Sequence, residues 1–144
     1  MTLDALFWLF HVPPAIGWIA LLLPTGAFPH RRRIAISCGA AAAVGYAVLF
    51  FSGSDAAVLA RNYSLSGVAA FFDIPHLRLA GWVHYLVLDL WAGIWEAEEA
   101  ERTGMSRWLL VPSLVMTAMV GPVGLLVFIA CRRLSGTRGA AAGA

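Results

Sequence analysis

Two residues able to move protons sit inside an otherwise apolar run, "GWVHYLVLDLW", from Gly81 to Trp91. A neutral imidazole at His84 can take a proton, and a carboxyl at Asp89 can give or accept one, which is the equipment of general acid–base chemistry. A carboxylate near the centre of a membrane span costs about 2.5 to 3.5 kcal/mol on insertion scales, so Asp89 is expected to face a helix-bundle interior with a partner. The five-residue spacing places the two side chains about 140° apart around a helix, so they do not share a face. They are read as two walls of one site or as two separate contacts. Asp89 shares its stripe with Trp82 and Glu96, and His84 lines up with Trp91 and Trp95. Trp91 is the tryptophan best placed to stack on a ligand, whereas the others suit an interfacial belt.

A third polar group, His11, lies in "FWLFHVPPAIGW", where Pro13 and Pro14 remove two backbone donors and free carbonyls. His11 either bonds to a freed carbonyl or joins a ligand site beside the broken ladder. In "MVGPVGLL", Gly121, Pro122 and Gly124 break a second apolar run and let a flat hydrophobic body approach the backbone. Neither HxxxH nor ExxH spacing occurs among His11, His76 and His84, so no metal site or cofactor is expected, and a haem between His11 and His84 is the remaining metal reading. His30 and His76 belong to polar turns. Cys38 and Cys131 lie in apolar stretches without a CxxC pattern and read as packing residues.

The elements carrying these residues follow from composition. Of 144 residues, 60% are hydrophobic and 12% charged, with ten arginines and no lysine, and the mean hydropathy is +0.78. Basic residues gather at the ends of apolar runs, which argues against nucleic acid as a partner. Four runs, Leu6 to Leu23, Ile34 to Phe51, Leu79 to Trp95 and Trp108 to Cys131, are long enough to span as helices. The expected fold is all-α, an integral membrane four-helix bundle over residues 1–134, followed by a disordered tail at 135–144. An interfacial or re-entrant segment is expected between the second and third spans, from Ser52 to Arg78. Asp73 in "DIPH" is expected to cap the third helix, and Gly104 to end it. Glu96, Glu98, Glu99 and Glu101 read as a solvated helix end. Small residues in "CGAAAAVGYA" predict close helix packing. Before the first run, "MTLDALFWLF" lacks the basic start of a secretory signal, so that segment is expected to remain. Four crossings put both termini on one side and divide the arginines evenly, leaving orientation undetermined.

The stretches "SLSGVAAFFDIPHLRLAGWVHYLVLDLWAGIW" and "VPSLVMTAMVGPVGLLVF" resemble the neoxanthin-synthase-like membrane proteins, relatives of the plant abscisic-acid-deficient-4 protein. The resemblance covers somewhat more than the C-terminal half. It implies a place in carotenoid metabolism, opening a carotenoid epoxide without redox change, and location in a bacterial inner or intracytoplasmic membrane. His84 and Asp89 are the catalytic candidates it points to, without assigning their roles; a buried Asp89 as acid and a neutral His84 as base are the expectation. It also matches Gly121 and Pro122 as a broken-helix wall, and His11, Trp82 and Trp91 are the expected ligand contacts beside them. The partners implied are a carotenoid or related isoprenoid, the lipid bilayer, and a homo-oligomer or larger membrane complex. A competing reading is a non-catalytic pigment-binding or assembly subunit. Two positions depart from the pattern: His11 stands where a small polar residue is usual, and Ile94 where relatives often carry a charge.

Overall fold

The computed structural model describes residues 2–24, 26, 28–55 and 64–141, with side chains to Leu134. Among the described residues six helices follow one another: α1 (Leu3–Leu22), α2 (Arg31–Gly53), α3 (Leu65–Asp73), α4 (Pro75–Thr103), α5 (Arg107–Val120) and α6 (Pro122–Ala141). Among the described residues the fold is all-α, and α1 and α2 are long and apolar enough to cross a membrane.

Local chemistry sets the helix ends. Thr2 caps α1 by accepting from the Ala5 N–H at 3.3 Å, and Ser64 caps α3 by accepting from Gly67 at 3.0 Å. Asp73 does not cap α4, contrary to the expectation: it is the last residue of α3, and Ile74 occupies the cap position. Pro75 at the first turn of α4 has no N–H to satisfy, so a capping side chain is less needed there. Gly104 ends α4 in the left-handed region, φ 65°, as its sequence position predicts. α1 runs on through Pro13 and Pro14.

Helices α1, α2 and α4 pack together through small residues. The buried face of α2 repeats Ala35, Gly39 and Ala42, and the Trp18 ring lies over Gly93 of α4. Without side chains at these points the backbones approach closely, which in a bilayer supplies the packing energy that water exclusion cannot. One cluster of buried side chains joins Leu21, Leu90, Ile94, Leu110, Leu114 and Phe128, drawn from α1, α4, α5 and α6. A second joins Leu49, Leu79, Val83 and Val87 between α2 and α4.

The run expected as a fourth span, Trp108 to Cys131, is not one helix. It breaks at Gly121, and α6 folds back along α5 so closely that a side chain at Gly124 would run into Thr117. The physical reason is the pair Gly121–Pro122: φ 52° and ψ −109° at the glycine reverse the chain, and the proline starts a new helix. Of the expected segment between the second and third helices, α3 is described and 56–63 lie outside the described residues. Backbone helix continues to Ala141, and 142–144 of the expected tail lie outside the described residues.

The acidic run at the end of α4 is solvated only in part: the Glu98 and Glu101 side chains remain partly exposed, whereas Glu96 and Glu99 are buried. Glu96 is fully buried, with its Oε1 accepting from the Thr117 hydroxyl at 2.7 Å. Glu98 pairs with Arg32, Glu101 with Arg31, and Glu99 with both Arg102, at 2.7 Å, and Arg132. Arg31 is itself buried and also donates to the carbonyls of Leu21 and Leu23 at 3.1 Å each, while Arg107 donates to Leu22 at 2.7 Å. These arginines satisfy the carbonyls that the end of α1 leaves open.

Candidate functional site

Along α4, Trp82, Tyr85, Leu86 and Asp89 recur at helical spacing and share one face. That face meets the reversal between α5 and α6. Because Gly121 has no side chain, the Asp89 carboxylate comes up against the backbone there: a Cβ on Gly121 would lie 2.8 Å from Asp89 Oδ1. Trp82, Tyr85, Asp89, Gly121 and Pro122 line a cavity of about 290 Å³. Trp82 and Tyr85 also line a larger adjoining cavity of about 530 Å³, which Phe7 of α1, Phe72 of α3 and Asp4 and Arg78 help to enclose. The Phe72 ring packs over Gly81, and Arg78 donates to the Phe72 carbonyl at 2.8 Å, tying α3 to α4 at this wall.

His11 is joined to the same wall. The Trp82 indole N–H donates to His11 Nε2 at 2.9 Å, and His11 Nδ1 lies 2.6 Å from the Phe7 carbonyl. An indole nitrogen only donates and a carbonyl only accepts, so the arrangement requires the neutral Nδ1–H tautomer. Both His11 nitrogens are thereby engaged, which leaves no lone pair for a haem iron. The role that remains is to hold the Trp82 ring, against which Phe7 stacks with centroids 6.2 Å apart.

His84 and Trp91 lie elsewhere. The His84 ring packs against Tyr46 of α2, with centroids 5.3 Å apart, and Trp91 lies across Gly39 of α2. Neither is among the residues lining the two cavities. The structure therefore gathers Asp89, Trp82, Gly121 and Pro122, attaches His11 through Trp82, and sets His84 and Trp91 on faces turned towards α2. Sequence reasoning missed Tyr85. Its signal was present in the spacing, since Tyr85 precedes Asp89 by four residues and follows Trp82 by three, on the face that carries both.

Away from the cavities, the ion pairs at the far end of α4 have an electrostatic consequence. Hydrogen bonds from Arg102, with Arg132 adding to them, hold the Glu99 carboxyl down at about 2 against the opposing effect of burial.

A family model described as ABA DEFICIENT 4-like matches residues 5–128, most of the chain. The chain belongs to the ABA DEFICIENT 4-like family. No curated protein and no solved structure matches it. The stretch shared with the ABA DEFICIENT 4-like family holds His11, the Trp82–Asp89 face and the Gly121–Pro122 reversal. The recognised segments "GWVHYLVLDLW" and "MVGPVGLL" are thus the two that meet in space, Asp89 of one against Gly121 of the other.

Proposed function

We propose that this is a membrane protein of carotenoid metabolism that receives one end group of a carotenoid, or of a related elongated isoprenoid, in the paired cavities along α4. The observation that carries the reading is the seating of Asp89 and Tyr85 beside the Gly121–Pro122 reversal, continuous with a wall of Trp82, Phe7 and Phe72. Aromatic faces suit a flat apolar body, and a few convergent polar groups orient it. The apolar helices α1 and α2 support residence in a bilayer, where such a ligand partitions.

The enzymatic form of the proposal is epoxide opening by acid–base isomerisation. The Tyr85 hydroxyl delivers a proton to the epoxide oxygen as a C–O bond breaks, and the Asp89 carboxylate removes a proton from carbon. The electron pair of that C–H bond becomes the new double bond, so nothing is oxidised or reduced. Asp89 and Tyr85 replace the earlier pairing of Asp89 with His84, whose ring is engaged at Tyr46.

The test is product formation by the purified protein given a carotenoid epoxide in detergent. Asp89→Asn and Tyr85→Phe should each lower turnover about 10²-fold or more, with His84→Gln close to the parent. Unchanged turnover in Asp89→Asn sinks the enzymatic form. Pigment retained without conversion by the parent protein would instead favour the non-catalytic binding subunit.

A further inference from the structure

We propose that α5 and α6 form a re-entrant hairpin. It enters the bilayer from the arginine-rich end of the bundle, turns at Gly121–Pro122 beside Asp89, and leaves on the side it came from. Only α1, α2 and α4 then cross. The inference requires that the chain lies in a bilayer and does not depend on its ligand being a carotenoid.

Three observations place both ends of the hairpin at one end of the bundle. Arg107, at the start of α5, donates to the carbonyl of Leu22, the last residue of α1. Arg132, on the returning arm, pairs with Glu99, near the end of α4. Arg31, at the start of α2, binds Leu21, Leu23 and Glu101 at this same level. The tip of the hairpin, in contrast, meets Asp89, the midpoint of the 29-residue α4.

Lengths agree with this placement. At about 1.5 Å per residue α4 extends about 43 Å, enough to cross with its charged end in the headgroups. The 14-residue α5 reaches only about 21 Å, short of the roughly 30 Å hydrocarbon core. Non-helical backbone at that depth is tolerated where protein or a cavity covers it, and Gly121, the residue that reverses the chain, is buried and lies against the Asp89 cavity, while Val120 and Pro122 beside it are exposed.

The hairpin changes both orientation and access. Arg31, Arg32, Arg33, Arg102, Arg107, Arg132 and Arg133 now gather at one end, facing Arg78 at the other among the described residues. The positive-inside rule puts the arginine-rich end in the cytoplasm. Below the tip, the Glu96–Thr117 bond and the buried Leu114 and Phe128 close the bundle. Above it the cavities continue towards Asp4, Phe72 and Arg78. A polar end group therefore reaches Asp89 from the non-cytoplasmic half of the bilayer.

Single-cysteine variants in a Cys38→Ala, Cys131→Ala background test this with a membrane-impermeant maleimide on intact and permeabilised cells. Ser66→Cys is expected to label in intact cells, and Arg33→Cys, Arg133→Cys and Leu134→Cys only after permeabilisation. Labelling of both Arg133→Cys and Leu134→Cys together with Ser66→Cys, and apart from Arg33→Cys, is the four-crossing pattern and overturns the hairpin. Arg33→Cys and Arg133→Cys reacting together in intact cells would keep the hairpin and overturn the cytoplasmic assignment. Variants are scored only where the protein stays monodisperse in detergent, and the two positions at the end of α6 guard against one failing to fold.

Discussion

The Asp89 carboxylate on α4 occupies the space that a Cβ on Gly121, at the tip of α5, would need, although the two lie 32 positions apart in the chain. The arrangement exists because Gly121 lacks a side chain and adopts φ 52°, a conformation that turns the chain and leaves room for an acid. Each demand makes any other residue type costly at that position.

Gly121→Ala is therefore expected to be damaging twice over. The positive φ alone costs a Cβ-bearing residue about 1–3 kcal/mol, and the added methyl group must also displace Asp89. Thermal unfolding in detergent should show the loss of stability, and ligand turnover or retention should fall with it. Gly104→Ala makes a useful comparison: its φ is 65° but nothing lies near the added methyl group, so stability should fall while the ligand readout persists.

Trp82→Phe keeps an aromatic wall and removes the indole donor to His11. Hydrogen bonds between membrane helices average about 0.6 kcal/mol, so the stability change should be small. The ligand readout should change more, because the Trp82 ring loses the bond that fixes it. Equal effects on stability and ligand affinity would remove His11 from the site.

Thr117→Val deletes the donor to Glu96 while keeping shape. Glu96 Oε2 already has no partner among the described residues, so the substitution strands the whole carboxyl group in the packed base of the hairpin. A cost of about 1–3 kcal/mol is expected from unfolding measurements. The double variant Thr117→Val, Glu96→Leu should recover part of it, since the stranded group is gone.

The Glu99 cluster predicts acid sensitivity. Its carboxyl titrates at about 2 in the folded protein against an ordinary value of 4.5. Because the folded value is the lower one, the stabilisation is complete above 4.5 and is lost as pH falls from there towards 2. Glu99→Gln should flatten stability across that window while leaving the higher pH range with a constant deficit. Unfolding midpoints between pH 6 and 2 check this, and an unchanged acid profile would dismiss the ion pairs as a stabilising element.

Much of the local structure was legible from residue type. Gly104 ends α4, the Gly121–Pro122 pair breaks the last apolar run, and small residues in α2 mark where helices close up. These are properties of a few neighbouring residues: a glycine reaches positive φ, a proline starts a helix, and a missing side chain lets backbones approach. The same reasoning separated His84 from Asp89 by helical geometry before any packing was known. It misjudged Glu96 and Glu99 in the acidic run, because glutamates at a helix end have the same composition whether they meet water or protein. The run's arginine partners Arg31, Arg32 and Arg132 lie 33 to 70 residues away in the chain.

By itself, then, the sequence determined an all-α chain, its helix breaks, its family and Asp89 as the group to watch. Tertiary structure alone decided that the last run folds back instead of continuing, that Gly121 meets Asp89, and that Tyr85 rather than His84 shares Asp89's cavity. The reason is physical: backbone torsions and side-chain period are encoded locally, whereas which helix faces meet is settled by packing across the whole bundle. A break at Gly121–Pro122 allows either a kink or a reversal, and the partners at either end of the hairpin, Leu22 for Arg107 and Glu99 for Arg132, select the reversal.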